Sequence, residues 1–238
     1  MADEVILYDI PSKPPCHGWS INPWKTRMAL NFKEVPYTTE WTEFPDLEPK
    51  FKEFGLTPNE QGRPYTSPAV KFDSSTYIQD SAKIASELEK RYPEPSLHLD
   101  SPLLPKAYAA VGAILEVIRP MLMRKVLPNL LNERSADYIS HTRAEALRKS
   151  REEYSKESVV EEVWRKSEVP LKNLATLIKG NGGPFVMGKT PSYADFVIAS
   201  FLFYIRRIDQ KDYDRMVVAE PALSEIFEAC RPWFKKDD

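Results

Sequence analysis

Apolar and polar positions follow a definite order along the first third of the chain. Val5-Ile6-Leu7-Tyr8 is a short apolar run, followed by the loop IPSKPPCHGWS, rich in Pro and Gly, and then by a helix that starts within SINPWKTRMAL. Tyr37-Thr38-Thr39-Glu40-Trp41 is β-branched and aromatic with a period of two, so it reads as the next strand. A βαβ unit sets two such strands parallel. A charged segment from Phe44 to Phe54 gives a short helix. Tyr65 to Phe72, a turn at Asp73-Ser74-Ser75 and then Thr76-Tyr77-Ile78 read as a hairpin, with Pro68 restricted to an edge or a special loop because it has no donor. Asp80-Ser81 opens SAKIASELEKRY, in which Ile84, Leu88 and Tyr92 fall on one helical stripe. The order βαβαββα is complete by residue 92.

The texture then changes. Segment 93–102 holds Pro93, Pro95 and Pro102 and reads as a stiff connector. Beyond it the periodicity is helical nearly throughout. Ala107, Ala110, Val111, Ile114, Leu115 and Ile118 trace one face, and Trp164, Leu171, Leu174 and Ile178 trace another that Pro170 interrupts. Asp137 to Lys156 reads as one charged, solvated helix. In TPSYADFVIASFLFYI, Ser192 and Asp195 are spaced as a capping box, with Pro191 and Phe196 at the staple positions, and this stability role accounts for every residue of the motif. The chain therefore divides into an α/β domain over 1–92, a linker over 93–102 and an all-α domain over 103–238.

Composition narrows the function. The chain has 238 residues with 42% hydrophobic content, enough for one large domain or two modest ones. A formal net charge of −2 gives no electrostatic case for nucleic acid or an anionic membrane. Cys16 and Cys230 are far apart, without metal-ligand spacing, which suits a reducing compartment and excludes a disulfide scaffold. The start MADEVILYDI carries no leader pattern and no segment has the length of a membrane span, so a cytoplasmic protein is expected. His17, His98 and His141 lack the clustered partners of a metal site or a triad, and no metal is expected.

SINPWKTRMAL carries more polar chemistry than a helix start requires. Asn22 suits the N-cap and Pro23 the first turn, which leaves Ser20 over, two positions upstream, where free backbone N–H groups and the positive helix end converge.

Together these residues resemble a cytosolic glutathione transferase: a small βαβαββα domain with Ser-Pro before its third strand and Asp-Ser opening its last helix, a proline-rich linker, and a helical domain carrying Ser-x-x-Asp. The longer stretch SINPWKTRMALNFKEVPYTTEW, followed by PDLE, is most similar to the fungal etherase-related class called FuA. The resemblance implies a thioredoxin-like N-terminal domain and a helical-bundle C-terminal domain, glutathione as co-substrate, and a homodimer. It implies a cis peptide before Pro68, with the backbone of Ser67 pairing with the cysteinyl part of glutathione. Asp80 and Ser81 would hold the γ-glutamyl end, and Ser20 would face the thiol with Asn22 within reach. Arg63 is the candidate for the glycyl carboxylate. Ile114, Ile118, Met121, Leu122 and Met123 are candidates for the wall of a hydrophobic second substrate, with plain core as their competing role.

The expected function is activation of the glutathione thiol for attack on hydrophobic, aromatic electrophiles, in detoxification or etherase-like chemistry. A carrier of aromatic or polyphenolic compounds is the alternative, favoured by the same adaptable apolar surface. A thiol oxidoreductase acting through Cys16 is a third, weakened because Cys16 lies four residues before Ser20 and belongs to no C-x-x-C.

Overall fold

The computed structural model describes residues 4–236. They divide into two compact units, residues 4–97 together with 232–236, and residues 98–231.

In the first unit, β1 (Val5–Asp9), α1 (Ile21–Phe32) and β2 (Tyr37–Trp41) make the expected βαβ element, with Val5 opposite Tyr37 and Asp9 opposite Trp41 in parallel register. A 3-10 turn at Phe44–Asp46 leads into α2 (Leu47–Glu53). β3 (Ala69–Lys71) pairs antiparallel with β1 and with β4 (Tyr77–Gln79), and α3 (Ser81–Arg91) follows. The strand order is β2-β1-β3-β4, the thioredoxin-like arrangement expected from the sequence. The hairpin strands are shorter than the sequence pattern suggests. Pro68 has no N–H to give, and its carbonyl accepts from the Asp80 N–H at 3.3 Å, so the ladder opens only at Ala69.

In helix α1, Pro23 through Leu30 are all buried, Lys25 and Arg27 included. Arg27 pairs with Asp9 at 2.9 Å, and both side chains are closed to solvent. Its remaining donors are spread over the unit: Nη1 donates to the Lys236 carbonyl and Nη2 to Thr39 Oγ1, each at 3.1 Å. The guanidinium also lies over the Trp24 and Trp41 rings, at 5.8 and 5.3 Å from their centroids.

The end of the chain belongs to this unit as well. Asn31 Nδ2 donates to the Trp233 carbonyl at 2.8 Å, Phe32 meets Trp233 edge-on, and Phe234 sits 5.0 Å from the Trp24 ring. The expected helical domain running to residue 238 therefore gives up residues 232–236. Their aromatic side chains find cover on α1.

The second unit contains α4 (Leu103–Leu130), α5 (Glu133–Thr142), α6 (Ala144–Glu153), α7 (Glu157–Lys179), α8 (Tyr193–Ile208), α9 (Gln210–Ala219) and α10 (Ala222–Ala229), with α4 packed on α7 and α8. The single charged helix expected over Asp137 to Lys156 is two, broken at Arg143 (φ −129°, ψ 23°). Thr142 Oγ1 donates to the Tyr138 carbonyl and His141 Nδ1 contacts the Asp137 carbonyl, side-chain competition that favours a helix end. Pro170, expected to interrupt, lies inside a continuous α7. Asp195 heads α8 as the capping pattern requires: one carboxylate oxygen accepts the Ser192 N–H and hydroxyl, both at 2.7 Å, and the other accepts the Val186 N–H at 2.6 Å. Among the described residues no helix is long and apolar enough to cross a membrane.

Removing one member of a buried ion pair leaves the other charge without compensation, at a cost of about 3–5 kcal/mol. Arg27→Ala is expected to lower the unfolding free energy by about that amount, measured as the shift in urea midpoint at constant slope.

Candidate functional site

Of the residues singled out from the sequence, Ser20, Asn22, Asp80 and Ser81 stand at two helix beginnings in the first unit. Helix α1 starts one residue before Asn22, so the N-cap is Ser20 (φ −84°, ψ 142°), whose carbonyl accepts the first helical bond from the Trp24 N–H at 3.1 Å. Asn22, expected as the cap, is instead an exposed residue of the first turn. Pro23 is tolerated there because the first-turn N–H groups have no intrahelical partner in any case. The Ser20 hydroxyl makes no cap hydrogen bond to α1. It stands at the positive helix end with its own chemistry uncommitted to the helix.

The second beginning is α3. Asp80 Oδ1 accepts the N–H groups of Ala82 and Lys83 at 2.8 and 3.2 Å, a real N-cap. Its backbone sits at φ 80°, ψ 121°, a conformation that costs an L-residue of order 1–3 kcal/mol and that clusters at functional sites. Ser81, the first residue of α3, is buried behind it. The Ser67-Pro68 peptide is cis. Ser67 is only 6% exposed and its hydroxyl donates to the Tyr8 carbonyl at 3.1 Å. Among the described residues its backbone N–H and carbonyl have no hydrogen-bond partner. A buried peptide group in that state suits a ligand that is itself a peptide.

Beside the α3 beginning lies an open depression of about 320 Å³, lined by Asn59, Glu60, Gln61, Arg63, Thr66, Asp80 and Lys83. Two carboxylates, two cations and two amides converge there, which complements a small zwitterion with several charged ends. Arg63 and Asp80, proposed separately from the sequence, share this depression. Arg63 is carried by a turn that Gly62 makes at φ 74°. The loop is held by Gln79: its Nε2 donates to the carbonyls of Thr57 and Pro64 at 2.6 and 3.1 Å, and its Oε1 accepts the Thr66 N–H at 3.3 Å. Asn59 closes the loop from within, donating from Nδ2 to the Arg63 carbonyl and to Thr66 Oγ1.

Sequence reasoning missed Gln79, Asn59, Lys83 and Lys25. Lys25 is 6% exposed in α1, and burial pulls its ammonium down to about 8 while the Asp80 carboxylate opposes that fall. Nothing in the string WKTR distinguishes such a lysine from a surface one. Gln79 carried a signal in its position, at the end of a strand and directly before Asp80.

Cys16 lies in the loop ahead of α1. Burial pushes its thiol up, and the Asp9 and Glu43 carboxylates add to that, against the opposing Ser12 backbone hydrogen bond and Arg27. A redox nucleophile needs the reverse. Of the five candidates for an apolar wall, Ile114, Ile118, Met121 and Leu122 are fully buried in α4, whereas Met123 is half-buried.

Comparison with known proteins supplies the family context. Residues 19–91 match the model of the glutathione S-transferase N-terminal domain, and residues 107–233 match that of the C-terminal domain. The glutathione S-transferase-like protein ustS of Aspergillus flavus is 32% identical over 230 residues, covering 86% of this chain and 81% of the relative. Among solved structures, a glutathione S-transferase of Ceriporiopsis subvermispora in complex with glutathione superposes with a TM-score of 0.86 at 27% identity, covering 99% of this chain and 100% of that one. Glutathione transferase GSTFuA3 from Phanerochaete chrysosporium gives a TM-score of 0.86 at 28% identity, covering 98% of each chain.

The dependence of the loop on Gln79 is open to direct measurement. Gln79→Leu removes three hydrogen bonds that tie residues 57–66 to β4, and amide exchange at Asn59 is expected to quicken by about tenfold or more while exchange in α8 stays unchanged. Hydrogen exchange read by mass spectrometry checks it.

Proposed function

This chain belongs to the glutathione S-transferase family, and from that premise we propose that it binds glutathione along the α1 and α3 beginnings and turns the thiol on hydrophobic, aromatic electrophiles. The observation that carries this reading is Asp80, held at φ 80° so that its amide reaches Pro68 while its carboxylate heads α3, next to a Ser67 whose peptide groups have no partner among the described residues. In this reading Ser67 pairs with the cysteinyl peptide. The γ-glutamyl carboxylate takes the α3 N-terminus with Ser81, because a helix beginning favours an anion. Its ammonium faces Asp80, and Arg63 takes the glycyl carboxylate. Ser20 donates to the thiolate, with Asn22 one position into the helix as a second donor. The helical unit supplies apolar surface for the second substrate, Met123 first among its candidates. A cytoplasmic homodimer completes the reading.

Magnitudes decide how much the serine does. A thiol with pKa about 8.5 is ~3% ionised at pH 7, and one lowered to about 6.5 is ~75% ionised, a difference of roughly 2.7 kcal/mol. One charge-assisted hydrogen bond of about 1.5–3 kcal/mol with a helix-end contribution of about 0.3–1 supplies it. Nucleophilicity falls with pKa at a slope of about 0.4–0.5, so the net gain from ionisation is a few-fold. Holding the electrophile against the sulfur supplies most of the rest. The proton leaves for solvent, the sulfur forms its bond to carbon, and either a leaving group departs with the bonding pair or the added carbanion takes a proton.

The protein is expected to be retained by immobilised glutathione, and Asp80→Ala to weaken that affinity by about ten- to hundredfold, for a lost charge-assisted bond of about 1.5–3 kcal/mol. Unchanged affinity in a folded variant, measured by calorimetry, removes Asp80 from the site.

Ser20→Ala is expected to lower turnover of small aromatic electrophiles by several-fold to about a hundredfold, to raise the pKa of bound thiol and to leave glutathione binding in place. Cys16→Ala should leave the rate near wild type. Loss on Cys16→Ala instead supports the oxidoreductase reading. Polyphenols that raise the melting temperature by several degrees in a wild-type protein without turnover identify a carrier.

A further inference from the structure

The loop between β1 and α1, residues 10–20, is tied down along its length. The Ile10 N–H donates to Asp9 Oδ1 at 2.7 Å, Trp19 Nε1 donates to the Pro11 carbonyl at 3.3 Å, and the Ser12 hydroxyl accepts the His17 N–H at 3.0 Å while donating to the Pro15 carbonyl at 3.2 Å. Its last turn before Ser20 runs over the buried ion pair. A Cβ added to Gly18 would lie 3.0 Å from Arg27 Nε, 3.2 Å from Trp24 Nε1 and 3.4 Å from Asp9 Oδ2. The backbone of Gly18 thus rests on the hydrogen bond between Arg27 and Asp9 itself. Gly18 lies outside the left-handed region, so closeness, not conformation, is what demands glycine here.

We infer that Gly18, seated on the Arg27–Asp9 pair, is a positioning residue that fixes where the Ser20 hydroxyl stands at the α1 beginning. The inference rests on the proposed role of Ser20 as thiolate partner. Ser20 lies two residues beyond Gly18, and its hydroxyl makes no cap bond that would hold it independently. Its location is therefore inherited from the backbone. The Arg27 guanidinium is fixed from three further sides, by Thr39, the Lys236 carbonyl and the two tryptophan rings, so a methyl at Gly18 displaces the loop more readily than the ion pair. A shift of a few tenths of an ångström is enough to lengthen and misalign a charge-assisted hydrogen bond while leaving the α3 end untouched.

The test is a double-mutant cycle read by ultraviolet titration of bound glutathione thiolate and by steady-state kinetics on the full chain. Gly18→Ala is expected to raise the thiol pKa by about half a unit to one unit and to lower kcat about three- to tenfold, with glutathione affinity within about twofold of wild type. In a Ser20→Ala background, Gly18→Ala should then change neither quantity. An equal effect in both backgrounds, or no shift in the wild-type background, overturns the positioning role and leaves the serine reading standing. A Ser20→Ala protein whose thiol pKa equals that of wild type overturns the serine reading and this inference with it. If Gly18→Ala does not fold, as judged by circular dichroism, Arg27→Lys takes its place in the cycle. It keeps the charge toward Asp9 and loses the fork to Thr39 and Lys236, and the same Ser20-dependent shift is expected, its absence being the overturning result.

Discussion

The first unit is organised around one buried charge. Arg27 sits in the middle of α1 with no solvent on any side, and each of its donors reaches a different part of the chain: Asp9 at the end of β1, Thr39 in β2 and the Lys236 carbonyl in the returning terminus. Burying a guanidinium and a carboxylate costs several kcal/mol per ion, recovered only when every donor and lone pair is used. That demand for completeness ties together elements that hydrophobic contact alone would let slide. A leucine at position 27 could pack as well against Trp24 and Trp41, but it would leave the β1–α1 loop, β2 and the terminal residues without a common reference point.

The consequence for the site is geometric. Asp9 is the last residue of β1, and it also accepts the amide of Ile10, so the ion pair marks where the strand ends and the loop begins. The loop then runs back over the pair at Gly18 before α1 begins at Ile21. At the second helix beginning, α3 is started by a residue held at positive φ, strain that its two cap bonds and its amide bond to Pro68 help to offset. One helix beginning is thus placed by buried electrostatics and the other by a strained cap. Both present positive helix ends, and the charged depression with its Gln79-pinned loop adjoins the second.

Much of this was legible in the string of residues, for physical reasons that vary by element. β2 was read with its observed bounds, Tyr37–Trp41, because alternation and β-branching agree there. The start of α3 was read because Asp-Ser before an apolar stripe has few other uses. The start of α1 was misread by two residues: Asn22-Pro23 looks like a cap followed by proline, but proline is tolerated anywhere in the first turn, and the pattern fits either register. The burial of Lys25 and Arg27 is not legible locally, because burial of a cation depends on partners far away in sequence, Asp9 among them, that no local pattern names. The break at Arg143 and the continuity of α7 through Pro170 are likewise decided by competition between side-chain and helical hydrogen bonds and by tertiary packing, and neither is encoded in periodicity.

The same electrostatics separates the chain's own sulfur from an imported one. Cys16 lies in the loop ahead of α1, where burial and the carboxylates of Asp9 and Glu43 push its thiol up. Four residues later the backbone enters α1, and the sign reverses: free N–H groups and the helix end favour an anion within the first turn and not beyond it. In the proposed reading thiolate chemistry falls at Ser20, where the chain offers a hydroxyl donor and no sulfur. On that reading the site is completed by a thiol from outside, and a peptide-like partner matched to the buried Ser67 peptide and the charged depression is the sort of molecule that brings one.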